Sequence, residues 1–339
     1  MKRSGGALLL LAMIMMCSPS RYPEGLYAVI KTPKGTIVAN LEYEKAPLMV
    51  ANFVGLAEGT LHSLLGDHVR FYDGLKFHHV DSNSIIIGGD PKADGTGGPG
   101  YQIPGALNPE LKHDSPGILS MASAGTGTIG SQFCITLASA PQLDNLFPVF
   151  GHVIEGMGVA RKIAPGDRME SVKIVRSGAK ALAFKVDQAA LDALVKQILA
   201  RNEQEKEKKA GELKDRILRQ FPDAVAMPGG IMYVQQKKGS GNKPSKGDHV
   251  KVHCAGPILE TSSKFDTSRN RLEPFEFDVG VGQWIPGLDR AILDMTKGER
   301  RTVVMPASLA WGDQGVPERI PVDAVVVFDV ELADIIAGR

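Results

Sequence analysis

The chain has 339 residues, 43% of them hydrophobic and 23% charged, with 39 basic side chains against 38 acidic ones. That length suits about two domains, and the apolar content excludes wholesale disorder. A net charge of +1 gives no basic face for nucleic acid or for a broad membrane surface.

Lys2 and Arg3 precede an apolar run from Ala7 to Met16, and Cys17-Ser18-Pro19-Ser20 follows. Spanning a bilayer takes roughly 20 residues, so a run this short behind a basic start reads as an export signal over residues 1–17. Cys17 stands where bacterial lipoproteins carry their lipid-modified cysteine, although Met16 departs from the small residue usual before it. The expectation is therefore export to the periplasm or cell envelope with a lipid on Cys17. Ordinary cleavage or an uncleaved anchor are the alternatives.

Leu26–Ile30 and Thr36–Leu41 flank Pro33-Lys34-Gly35 and predict a hairpin. Pro47 opens a helix that Gly59 ends. From Phe71 to Val175, short apolar runs alternate with glycine turns, as in a closed or nearly closed β-barrel. Residues 186–221 read as a charged helical linker with a break at Gly211. Its apolar faces, Leu191 to Leu199 and Leu213 to Phe221, could dock on a domain or pair between chains. Past Pro228, strands return around one short amphipathic helix from Pro286 to Met295. Cys134 and Cys254 each fall in an apolar strand and read as packed thiols. His78 and His79 are neighbours on a strand and should face opposite sides, which argues against a metal site.

Three blocks in the first half carry further information: Phe71–Val80, Gly88–Tyr101, and Gly117–Gly125 running into Gly130–Thr136. With Leu143-Asp144 and Val149–Val153, their order and spacing resemble the cyclophilins over residues 24–178. The resemblance implies an eight-stranded barrel closed by two helices, with an outer groove for an X-Pro peptide. It also implies the chemistry. A catalyst binds the twisted amide better than either planar form and donates a hydrogen bond that weakens amide resonance. The family's donor is an arginine, and that position is His79 here. Other groove positions also depart from the family: Ser84, Ile85, Ile87, Ser123, Cys134, Gln142 and Phe147. Ala122, Gln132 and Leu143 match. Losing a charged donor costs on the order of 10²–10³ in rate, so this domain is expected to be weak, peptide-binding only, or purely structural.

The second half carries Val250–Gly256, Lys264–Ser268, Pro274–Phe277, Val279–Asp289, Leu309–Gly312 and Val327–Leu332. This series resembles the FKBP family over residues 226–337. The resemblance implies an antiparallel sheet wrapped around one short helix, with a proline pocket between them. Carried over by position, Phe265, Phe275, Phe277, Trp284, Ile285, Ile320 and Phe328 belong to the pocket, with Asp266 at its rim. Leu288 replaces the usual floor tryptophan and Cys254 a wall tyrosine. Trp311 replaces the donor tyrosine but keeps an N–H. Phe265, Asp266, Trp311 and Phe328 are the expected catalytic set, acting by desolvating the amide. No metal or cofactor is implied. The expected partners are unfolded or proline-containing polypeptides. A chaperone with incidental turnover and a surface adhesin are the competing readings.

Overall fold

The computed structural model describes residues 21–123, 128–257, 264–267, 273–312 and 314–336. For Ser123, Pro257 and residues 264–267 only the main chain is described. The signal expected over residues 1–17, Cys17 included, lies outside the described residues. Two compact units divide between Asn202 and Glu203.

In the first unit, β1 (Gly25–Thr32) and β2 (Gly35–Leu41) form the hairpin, paired from Leu26–Leu41 to Thr32–Gly35. Helix α1 (Pro47–Glu58) starts on its proline and stops at Gly59, where φ is +73°. A side chain at Gly59 would be strained, and its Cβ would lie 2.8 Å from the Val69 carbonyl oxygen. Six further strands build most of the sheet: β3 (Lys76–Asp81), β4 (Ile85–Asp90), β5 (Ile103–Pro104), β6 (Ile118–Ser123), β7 (Thr128–Thr136) and β8 (Val149–Glu155). Helix α2 (Met157–Ala160) and strand β9 (Ser171–Ser177) follow. The order is β3-β4-β7-β6-β8-β2-β1-β9, with the short β5 on β7. This is the expected nearly closed antiparallel barrel, and its end strands β3 and β9 do not pair directly. Irregular backbone bridges the gap between them: Gly166 N–H to Phe77 O, Phe77 N–H to Asp167 O and Met169 N–H to Leu75 O, all at 2.8 Å. Phe53 of α1 fills the interior, its ring centroid 4.9–5.3 Å from those of Tyr72, Phe133 and Phe150.

After α3 (Ala179–Ala183), helix α4 runs unbroken from Gln188 to Gln220. The expected break at Gly211 is absent. A glycine costs a helix interior only about 1 kcal/mol, and packing outweighs it. Leu191 and Ile198 are buried in the first unit's core, and Ile217 in the second unit's against Met232, Val304, Val325 and Val327.

The second unit contains β10 (Val225–Ala226), β11 (Met232–Lys237), β12 (His249–Pro257), β13 (Lys264–Thr267) and β14 (Phe275–Asp278). Helix α5 (Pro286–Leu293), β15 (Arg300–Met305) and β16 (Val326–Ile336) complete it. The sheet is antiparallel, ordered β10-β11-β15-β16-β12-β13 with β14 on β12. It packs on one face of α5: Leu288, Ala291 and Ile292 are fully buried against Val250, Val252, Val303 and Val330.

Candidate functional site

The first unit holds an open groove of about 1230 Å³. Its outer wall is the glycine-rich segment 92–102, which hangs from one carboxylate. Asp90 is 1% exposed and accepts main-chain N–H bonds from Lys92, Asp94 and Gly95 at 2.6–3.1 Å. Gly97 approaches so closely that a Cβ there would fall 1.9 Å from Asp90 Oδ1. Gln132 Nε2 ties the wall down by donating to Gly95 O and Gly97 O, both at 2.9 Å.

Of the residues assigned to this groove from sequence, His79, Ile87, Ala122, Gln132 and Phe147 line it. Ile85, Leu143 and Cys134 do not. Cys134 is fully buried: a thiol is too short to reach the groove from a position that suits phenylalanine, and it bonds across the sheet to Ser120, its partner on β6. Ser84 sits in the β3–β4 turn, its N–H on Asp81 O at 3.0 Å. The Ser123 side chain lies outside the described residues.

His78 requires a correction, because it lines the same groove as His79. Phe77 pairs with Gly88 and His79 with the adjacent Ile87, so His78 is an extra residue in a β-bulge. The bulge cancels the alternation that would have separated the two rings. Burial lowers the His78 pKa below its ordinary 6.5, with Asp90 and Asp94 opposing. Sequence alternation could not reveal the bulge; only pairing with β4 does. Leu64 is another lining residue that sequence reasoning missed.

The second unit has a smaller cavity of about 490 Å³, lined by Cys254, Gln283, Trp284, Ile285, Pro286, Trp311 and Phe328. Five of these were assigned to the pocket from sequence, while Gln283 and Pro286 were not. Phe277 stacks on Trp284 with centroids 4.9 Å apart, and Phe275 meets it edge-on at 5.1 Å. These two rings support the lining from behind. Leu288 is fully buried and does not line the cavity, and its two indoles are Trp284, from the loop before α5, and Trp311. Ile320 packs on Trp311 outside the lining, and Trp311 stacks on Phe328. Phe265 and Asp266 lie on β13, of which only the main chain is described; Asp266 pairs with Gly256 of β12.

A family model described as cyclophilin type peptidyl-prolyl cis-trans isomerase/CLD matches residues 27–179. One described as FKBP-type peptidyl-prolyl cis-trans isomerase matches residues 240–333. The chain is similar to peptidyl-prolyl cis-trans isomerase A of Mycobacterium tuberculosis, 45% identical over 133 residues, covering 38% of this chain and 73% of that one. It is similar to the peptidyl-prolyl cis-trans isomerase of Synechococcus elongatus, 43% identical over 157 residues, covering 45% and 98%. Among solved structures it is similar to AtFKBP13, 34% identical, covering 33% of this chain and 97% of that one with a TM-score of 0.32. This chain belongs to the peptidyl-prolyl cis-trans isomerases, with a cyclophilin-type region followed by an FKBP-type one.

Proposed function

We propose that turnover resides chiefly in the FKBP-type unit, and that the cyclophilin-type groove mainly holds polypeptide, both serving exported proteins as they fold. The observation that carries this is the contrast between the two linings. The smaller cavity is walled by two indoles, a phenylalanine and an isoleucine. Such a lining seats a proline ring and strips water from its amide. The planar amide is the more charge-separated form, so desolvation favours the twisted one. The larger groove has His79 where a catalytic arginine would stand, and four of the eleven residues of its outer wall, 92–102, are glycine.

The test is isomerisation of a Leu-Pro peptide by the full chain. With the FKBP-type pocket removed by Phe328→Ala, only the groove's rate is expected to remain, about 10²-fold lower because His79 stands in place of a charged donor. Adding His79→Arg should not restore full turnover, since Ser84, Ile85 and Cys134 also depart from the family lining. A Phe328→Ala chain as fast as wild type would move catalysis to the groove. The chaperone reading would gain if the folded wild-type chain bound unfolded clients without isomerising them.

Export rests on Lys2, Arg3, the apolar run and Cys17. Cys17→Ala is expected to shift the protein out of the membrane fraction and to remove a lipid mass. Unchanged fractionation would count against lipidation. Self-association through α4 is the weaker reading, because Leu191, Ile198 and Ile217 are spent on the two cores, which leaves Leu199 exposed beside a charged, exposed middle.

A further inference from the structure

Beneath the cyclophilin-type groove runs a buried line of hydrogen bonds that the isomerase chemistry leaves unused. His113 is 0% exposed. Its Nδ1 lies 2.9 Å from Asp144 Oδ1 and its Nε2 2.9 Å from Ser120 Oγ. Ser120 Oγ lies 3.0 Å from Cys134 Sγ. The proton positions follow from chemistry. An ionised carboxylate only accepts, so Nδ1 carries a hydrogen; in the neutral ring Nε2 then accepts from the Ser120 hydroxyl, and Ser120 accepts from the thiol. Burial pushes that thiol up to about 11, so it keeps its proton. Hydrogen bonds from the His113 main chain and ring hold the Asp144 carboxyl below its ordinary range, so it is ionised. Every donor in the line points toward Asp144. Aspartate, histidine and serine in this order make up a hydrolytic triad, but Ser120 is 0% exposed and no substrate can reach it.

What the line does reach is a turn. Asp144 Oδ1 also accepts the His113 main-chain N–H at 2.9 Å. The His113 carbonyl oxygen in turn accepts the Ala140 N–H at 2.8 Å. Directly after this anchor, Asn145 has φ +64°, in the left-handed region. Strained backbone persists where its surroundings over-determine it. Two residues further on, Phe147 lines the groove, and Leu146 between them is 62% exposed.

We propose that His113 is a positioning residue of the groove: by clamping Asp144 it holds the strained turn 144–147, and with it Phe147, in the shape that grips a bound polypeptide. This rests on the reading that the groove holds polypeptide.

The test is titration of the full chain with a proline-containing peptide, followed by heteronuclear NMR. The Gln132 side-chain amide reports the groove. The indole N–H signals of Trp284 and Trp311, the chain's two tryptophans, report the other pocket separately. Asp144→Ala and His113→Leu are expected to weaken groove binding about tenfold and to speed hydrogen exchange at 143–147, leaving the indole titration unchanged. His113→Asn, whose side-chain N–H overlays Nδ1, should retain affinity within about twofold. A pure packing role predicts the reverse, because leucine suits a dry core better than an amide that has lost one partner. Should His113→Leu fail to fold, Asp144→Ala on the turn carries the test alone. Wild-type-like groove affinity in Asp144→Ala overturns the clamp while sparing the groove. No peptide response at Gln132 in the wild-type chain removes the groove reading, and the clamp with it.

Discussion

Truncating Phe328 to alanine is expected to destabilise the FKBP-type unit by about 3–5 kcal/mol, the usual cost of deleting a buried aromatic. The ring is 3% exposed on β16, opposite Val303 of β15, and it both lines the small cavity and stacks on Trp311. One substitution therefore opens a void in the core and removes a pocket wall, so stability and turnover should fall together. Trp311→Leu separates the two. It keeps an apolar side chain on a half-buried position while removing the indole donor and its stacking on Phe328, and a transition-state hydrogen bond worth about 1.4 kcal/mol is tenfold in rate. Its expected result is about tenfold slower isomerisation with little change in unfolding. Denaturant unfolding followed by tryptophan fluorescence reads this unit alone, since both tryptophans lie in it. A Phe328→Ala chain that unfolds with wild type would show that the cavity is not part of the core.

Replacing Arg301 by methionine should be as damaging, at about 3–5 kcal/mol, because it strands a buried carboxylate. Arg301 is 4% exposed and Glu299 2%. The guanidinium donates to Glu299 Oε1 at 2.6 Å, to Asp294 Oδ2 at 2.8 Å and to Asp294 O at 3.1 Å, and lies 4.0 Å from the Tyr233 ring centroid. Glu299 also accepts from Gln235 and Thr296. Pairing Arg301→Met with Glu299→Gln should recover much of the loss, since it is the unpaired charge that costs. The same cluster sets an acid dependence. Burial pushes the Glu299 carboxyl up, but Arg301, Thr296 and Gln235 outweigh it and hold it below its ordinary 4.5. Asp294 is likewise held below 3.8, where Lys243 and Arg301 overcome its burial. A lowered carboxylate stabilises the fold above its unfolded pKa, and that stability drains as pH falls through it. Wild-type stability should therefore decline below about pH 4.5, and the double variant should decline less. Equal stability of Arg301→Met and wild type at neutral pH would refute the cluster's role.

The sequence by itself determined the two families, the hairpin of β1 and β2, the start and stop of α1, and the apolar make-up of the second pocket. Each is written locally: a turn at Pro33–Gly35, proline at a helix start, glycine at its end, aromatics spaced along strands. Helix α4 was legible as a helix but not as an unbroken one, because local propensity at Gly211 carries no record of packing at Ile217. Tertiary structure alone decided the rest. Pairing with β4 put a bulge at His78 and turned both histidines into one groove, which alternation along a single strand cannot show. Position assigned Cys134 to the groove, yet a side chain that short stays inside and bonds to Ser120. Trp284 lines the second cavity with Phe275 and Phe277 of β14 packed on its ring, a contact that only the fold makes. Asp144, His113, Ser120 and Cys134 lie scattered along the sequence, and only the fold brings each one's polar atom within 3.0 Å of the next, with β6 and β7 setting Ser120 directly opposite Cys134.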